Sequence, residues 1–324
     1  MAILLSHTSA LQCYRTSLFD DAESSARKPL RRTQAERALA NAKPKSDGIA
    51  NAAALCHDEP IHLLIPSESE RSRSSRVICH IAPGQLPPQA FLPAESNVFA
   101  SSPALLIEQL ALKLPFTQTI ALAWELCGDY RLGSSRDRTF RPRPSLGDPD
   151  DFSSALQNRP RARGLETALT ALRCTCAHSA SPMETMVGLQ LSLPRCYGGF
   201  GLPKPRMNHR IEIPSGARAT TGKSFLVADL FWPEYNLCVE YQSTQFHTGA
   251  ERIDSDARRR TALEDLGITI VEVTASQALS KSSMNEVAHV LAKKMRKRIR
   301  TESKWEAKHE LMWTHLLEWH GFTR

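Results

Sequence analysis

Three observations predict an α/β protein with a mixed sheet flanked by helices, preceded by a smaller α+β domain. Apolar runs of strand length, 209-HRIEIP-214, 224-SFLVADLFW-232, 236-NLCVEYQ-242 and 268-ITIVEVT-274, follow one another late in the chain. Helical patterns stand before, between and after them, so the sheet needs at least one crossover. A stretch rich in Arg, Pro, Asp and Ser, 131–163, separates this region from an earlier set of elements.

Taken in order, residues 1 to about 60 mix short apolar pieces with Ser, Arg and Lys and show no strong period. The runs 61-IHLLIP-66 and 76-RVICHI-81 read as two strands divided by a polar turn. In 103-PALLIEQLALKL-114, Leu106, Leu110 and Leu114 recur at helical spacing, and a second helix over 117–130 is stopped by Gly128. Residues 131–163 read as a connector and the domain boundary, and 164–176 as a helix. The next helix opens at 181-SPMETMVGL-189, with Ser181 as cap, Pro182 in the first turn and Glu184 three residues on from the cap. Residues 194-PRCYGGFGLPKPRMN-208 are full of turn formers. The runs 209–214 and 224–232 read as antiparallel partners, and a third strand follows the turn at Pro233. A helix from Asp254 to Leu266, a stop at Gly267, the strand 268–274 and one long helix from about 283 towards 319 complete the order. The expected division is 1–130 as an accessory α+β domain, 131–163 as linker, 164–280 as the α/β domain and 281–324 as a basic carboxy-terminal helix.

With 324 residues, 41% apolar and 23% charged, the chain is long enough for one large or two ordinary domains and is not of disordered composition. No apolar run reaches membrane-spanning length, so no membrane partner is expected. The start, MAILLSHTSALQCYR, lacks a basic leader and a convincing cleavage segment, and the expected location is the cytoplasm. The eight cysteines are scattered. In 174-CTCAH-178, Cys174, Cys176 and His178 have no second ligand pair at zinc-finger spacing and read as ordinary thiols near a helix end. Of the net charge of +7, the last 44 residues carry ten Lys or Arg against five Asp or Glu, so the positive field is concentrated at one end.

Two glycine-rich stretches fail as phosphate sites. In 216-GARATTGKS-224 five residues stand between the glycines where a phosphate loop has four, and the stretch leads into a strand rather than a helix. The glycines of 198-GGFG-201 follow no strand and open no clear helix.

The acids carry more. Asp229 lies within one strand, and Glu240 with Gln242 within the next. Side chains two apart share a strand face, so Glu240 and Gln242 point the same way. If the strands are antiparallel about the 233–235 turn, Asp229 and Glu240 fall near cross-strand positions, where two carboxylates call for a divalent cation. Mg²⁺ suits such oxygen ligands, with Mn²⁺ as a substitute. His247 stands within reach of the same rim as a ligand or proton carrier. Asp256 and Arg259 are one turn apart on the following helix, where Arg259 could hold a phosphate or simply form helix ion pairs, with Leu263 and Leu266 in the core.

On these residues the chain resembles the PD-(D/E)xK nuclease superfamily, in particular endonuclease-like domains akin to very-short-patch repair endonucleases. Asp229 matches the first acid of that pattern, Glu240 the second and His247 its histidine. Asp256, Arg259, Leu263 and Gly267 match the helix D-x-x-R-x-x-x-L-x-x-x-G at full spacing, and Glu184 resembles the accessory acid. The likeness covers roughly 180–275. It implies a restriction-endonuclease-like fold over 164–280, with Asp229, Glu240, Gln242 and His247 as catalytic residues and Asp229, Glu240 and Glu184 as ligands of Mg²⁺. Gln242 stands where the wider superfamily has Lys; it can donate a hydrogen bond but brings no positive charge. The upstream region is similar to that of abortive-infection antitoxin-like proteins.

In 293-KKMRKRIR-300, six of eight residues are cationic, and Lys293, Lys294, Arg296, Lys297, Arg298 and Arg300 read as contacts to nucleic-acid phosphates. Beyond them Trp305, His309, Met312, Leu316 and Trp319 form an apolar stripe. The expected function is metal-dependent endonuclease action on DNA, with RNA left open, in phage defence or DNA repair. The alternative is a catalytically weak nucleic-acid-binding regulator of a toxin–antitoxin or defence system.

Overall fold

Ile3–Leu5, three buried apolar residues, form β1 in the middle of the first sheet. The computed structural model describes residues 1–21, 28–56, 58–82, 84–133, 139–157, 162–214, 224–242, 250–300 and 304–322, with backbone alone for 250–257. The chain folds as two units, Met1–Thr175 with Trp319–Gly321, and Cys176–Glu318 with Phe322–Arg324. Both are mixed α/β, with sheets flanked by helices.

In the first unit β1 is followed by α1 (His7–Tyr14), α2 (Arg32–Ala40) and α3 (Ser46–Leu55). Then come β2 (Ile61–Ile65), β3 (Val77–Ile81), β4 (Phe91–Glu95) and β5 (Val98–Ser101). The strand order is β3-β2-β1-β5-β4, with β2/β3 and β1/β5 parallel and the other pairs antiparallel. Leu4, Leu64 and Phe91 pack with Ala35 and Ala38 of α2. The region read from sequence as patternless, 1–60, thus supplies the central strand and three helices.

Two helices come next, α4 (Pro103–Leu110) and α5 (Phe116–Cys127), and the second ends at Gly128 as its sequence predicts. The connector reading of 131–163 is corrected. Tyr130–Leu132 (β6) pairs with Phe140–Pro142 (β7), and α6 (Pro149–Leu156) buries Phe152 and Leu156. α6 packs on α4 and on α7 (Leu165–Arg173). Arg143, only 1% exposed, explains why a polar segment folds inward. Its Nη2 donates to the carbonyls of Glu125 (2.7 Å), Leu126 (3.5 Å) and Gly128 (3.4 Å), where the end of α5 leaves carbonyls without helical partners. Glu125, fully buried, also takes two bonds from Arg15, at 2.8 and 2.7 Å.

The second unit opens with α8 (Pro182–Ser192), where the Glu184 N–H donates to Ser181 Oγ at 3.2 Å and the Ser181 hydroxyl to Glu184 Oε1 at 2.9 Å. β8 (Arg206–Glu212), β9 (Phe225–Trp232) and β10 (Leu237–Gln242) follow, then α9 (Ala250–Asp265) and β11 (Thr269–Thr274). The order is β11-β10-β9-β8, antiparallel except for β10/β11, which α9 connects as a crossover. Ala262 and Leu263 of α9 pack on Leu226, Ala228 and Cys238. The helix stops at Gly267 (φ +72), where the Ile268 N–H reaches the Leu263 carbonyl and the Gly267 N–H that of Glu264.

After the short α10 (Ala275–Ala278), the single long helix expected from about 283 towards 319 is instead two: α11 (Lys281–Lys294) and α12 (Trp305–His320). α11 ends by the same capping pattern as α9. Arg296 takes the left-handed position (φ +53), the Lys297 N–H donates to the Ala292 carbonyl and the Arg296 N–H to that of Lys293. Of the stripe on α12, Trp305, His309, Met312 and Leu316 are buried, as expected, and Trp319 is half-buried. Trp305 Nε1 donates to the Gly199 carbonyl at 2.9 Å and His309 Nδ1 to that of Gly198 at 2.8 Å. Gly198 and Gly199 therefore hold α12. Gly198 has φ +98, and a Cβ there would lie 2.4 Å from the Lys308 carbonyl oxygen. Gly198→Ala is expected to cost about 2 kcal/mol or more, read as a lower urea midpoint.

Candidate functional site

The site grows from the way β9 and β10 part. Their antiparallel ladder runs through Leu237–Trp232, Cys238–Phe231 and Val239–Leu230, and then stops. Continued by one rung, it would set Glu240 opposite Asp229. Both strands continue, but with other partners: β9 keeps β8 as far as Phe225–Glu212, and β10 keeps β11 as far as Gln242–Thr274. The two acids thus stand at a fork in the sheet. The same rung carries Glu272 of β11, paired with Glu240, and by register Asn208 of β8 beside Asp229.

Each acid is held differently. Asp229 Oδ2 accepts the Tyr241 N–H at 2.7 Å, so a side chain takes a strand amide where the ladder has opened. Glu240 Oε2 accepts from Arg259 Nη2 at 2.5 Å, and the same nitrogen donates to the Val227 carbonyl. Arg259 reaches both because it lies one turn before Leu263, which packs on the sheet. The neighbouring Arg260 pairs with Glu272. Glu184 Oε2 accepts from the Ala180 N–H (2.9 Å) and from Asn208 Nδ2 (2.7 Å), which also donates to the His178 carbonyl (2.8 Å). With Ser181 on Oε1, Glu184 is both helix cap and a charge beside Asp229.

Asp229 bears on both glutamates. Burial pushes Glu184 up to about 7, with Asp229 adding to it against its hydrogen bonds from Ala180, Asn208 and Ser181. Burial and then Asp229 push Glu240 up to about 7, opposed by Arg259. Asp229 is raised by burial, against the Tyr241 amide and Arg259. Both glutamates hold a proton more tightly folded than unfolded. Their contribution to stability is fullest below the ordinary carboxylate value of 4.5 and is lost as pH rises through about 7.

The donor set at the fork is all oxygen, which suits a hard cation. Glu240 Oε1 is buried with no hydrogen-bond partner among the described residues. An orphaned carboxylate oxygen beside a second carboxylate fits Mg²⁺ held by one or two acids. The oxygens of Glu184 already accept three donors, so it fits better as a fixed neighbour than as a ligand. Three acids do not gather tightly here: among the described residues, the His, Cys, Asp and Glu group whose ligand atoms lie within 4.8 Å of one another is His7, His62 and His80.

Gln242 ends β10, half-buried and paired with Thr274. His247 and the side chain of Asp256 lie outside the described residues, although the backbone of Asp256 is within α9. Lys293 and Lys294 close α11, and Arg296, Lys297, Arg298 and Arg300 follow its cap; all six are exposed. They line a helix end and the segment after it, not one continuous helix. Cys174 and Cys176 are buried thiols. Sequence reasoning missed Asn208, whose left-handed backbone (φ +45) inside a strand leaves no pattern; a poor strand former between strand residues was the one available sign.

No family model matches the chain. Two uncharacterized proteins of Mycobacterium tuberculosis, from strains CDC 1551 / Oshkosh and ATCC 25618 / H37Rv, are each 26% identical to it over 123 residues. The match covers 38% of this chain and 41% of each relative, so the chain spans less than half the length of the curated relatives it matches. No solved structure matches. No helix among the described residues is long and apolar enough to cross a membrane.

Proposed function

We propose that the second unit is a restriction-endonuclease-like domain of the PD-(D/E)xK class, and that the protein hydrolyses phosphodiester bonds in DNA with Mg²⁺, or Mn²⁺, held by Asp229 and Glu240. The observation that carries this reading is the fork between β9 and β10, with one acid on each prong and a buried Glu240 oxygen that has no partner among the described residues. The element order supports it as well: a helix, three antiparallel strands, a crossover helix and a parallel strand. A bound Mg²⁺ would supply Lewis-acid polarisation of a phosphate oxygen. The Tyr241 amide fixes Asp229, and Arg259 orients Glu240 and offers a guanidinium fork to phosphate. The exposed cations of 293–300 would contact backbone phosphates without reading bases.

A second reading has its own observation. Arg259 already occupies one oxygen of Glu240, and Gln242 brings no cation, which favours a nucleic-acid-binding regulator with dulled chemistry. The test is cleavage of supercoiled and linear DNA, and of RNA, with Mg²⁺, Mn²⁺ or chelator, beside binding measured at several salt concentrations. Metal-dependent nicking is the expected result. Salt-sensitive binding without cleavage or metal uptake selects the regulator. Neither binding nor cleavage overturns both readings.

Proton release gives a further check. Because Glu240 is pushed up to about 7, Mg²⁺ affinity is expected to rise about ten-fold in all from pH 6 to 8, steeply below pH 7 and levelling above it. Calorimetry in buffers of different ionisation enthalpy reads both the affinity and the proton released. A flat profile would mean that Glu240 is not a ligand.

A further inference from the structure

We propose that His7, His62 and His80 form a binding site for a transition-metal dication of the zinc type in the first unit. These residues are far apart in sequence, and the fold brings one ligand nitrogen from each within 4.8 Å of the others. β2 and β3 pair in parallel, with His62 beside Ile78 and Leu64 beside His80, so the two histidines are diagonal neighbours. Their facing nitrogens, His62 Nδ1 and His80 Nε2, are 2.9 Å apart. His7, the first residue of α1, lies against His80 with ring centroids 3.7 Å apart.

The surroundings hold this arrangement. The His7 N–H donates to Gln109 Oε1 at 3.1 Å, and the His62 N–H to Ser9 Oγ at 2.9 Å. Ser6 Oγ lies 3.1 Å from His7 Nδ1, the kind of outer contact that fixes the ring of a ligating histidine. His7 sits at φ +49, a left-handed backbone rare outside glycine, so the chain accepts strain to turn this ring inward. Zn–N bonds of about 2.0–2.1 Å place two nitrogens of a tetrahedral site roughly 3.3 Å apart, a spacing small ring rotations would reach. Burial and mutual repulsion lower His7 to about 3 and His80 to about 4, and burial lowers His62, so the imidazoles are neutral, as a metal requires. Lys113, which faces all three, and Arg71, near His80, oppose a dication. Imidazole suits zinc and its neighbours, and His62 and His80 are half-buried, which leaves a path in and a position for water.

A neutral His62–His80 hydrogen bond with no metal is the competing account, and the whole 324-residue chain, stripped with chelator, separates the two. Titrated with Co²⁺, it should develop the visible bands of a tetrahedral nitrogen site without a sulfur charge-transfer band, and Zn²⁺ should bleach them. Zn²⁺ should raise the melting temperature of the wild type. His62→Gln and His80→Gln should each weaken Zn²⁺ binding about ten-fold or more while keeping the metal-free melting temperature and circular dichroism. Equal Zn²⁺ uptake by wild type and both variants, a sulfur band, or no uptake at all would overturn the site.

Discussion

Asp229→Asn is expected to reduce Mg²⁺-dependent cleavage by about 100-fold or more, with DNA binding nearly unchanged. Asparagine keeps the shape and can still accept the Tyr241 amide, so the fork stays folded. What disappears is one of two negative charges directed at the proposed cation. The loss belongs in kcat, because the exposed cations of 293–300 that would hold the phosphate backbone are untouched. Glu240→Gln should match it through the other prong, and the two together should cost little more than either alone, as expected of groups that act as a unit. A double variant cleaving at the wild-type rate would sink the nuclease reading and leave the regulator.

Glu125→Ala should have the largest effect on folding, destabilising the first unit by about 3–5 kcal/mol. Burial alone would push the Glu125 carboxyl up, but Arg15 and then Arg143 hold it below the ordinary value, so it is ionised in the fold. Removing it leaves the Arg15 guanidinium and the buried Arg143 without their shared counter-charge, and Nε and Nη1 of Arg143 already lack hydrogen-bond partners among the described residues. Glu125→Gln, which keeps the volume, should recover part of the loss. A carboxyl lowered by folding contributes stability above its unfolded value and loses it as pH falls through the folded one. The gap between wild type and Glu125→Gln in urea midpoint should therefore be full above about pH 5 and close under acid. A gap that stays constant into acid would place the effect in packing rather than charge.

Much of the second unit was legible in sequence because its cues are local. Ser181, Pro182 and Glu184 announce a helix start, Gly267 a stop, and four apolar runs the strands. α9 and α11 show the limit. They end by the same hydrogen bonds, but one uses Gly267 and the other Arg296, so the second stop left no mark and two helices read as one. In the first unit, β1 is three residues long and gains its place from neighbours β2 and β5, distant in sequence. The 131–163 stretch looked like a linker because composition cannot see that Arg143 finds carbonyls inside the fold. At the fork, the acids could be named from their alternation. The roles of Asn208 and the Tyr241 amide required the strand pairing itself.

The connection between β9 and β10 is short: a single turn of 3-10 helix, Pro233–Tyr235, closed by Asn236. Insertions and deletions there would be read out at the acids. One residue gained or lost between Trp232 and Leu237 would turn β10 over, carrying Glu240 and Cys238 together away from Arg259 and α9 and bringing Val239 and Tyr241 to that face. Two residues would restore the face but carry Glu240 a full pleat away from Asp229. The length of this turn is thus as much a determinant of the site as the carboxylates, and a library varying it should tolerate substitution far better than any change in length.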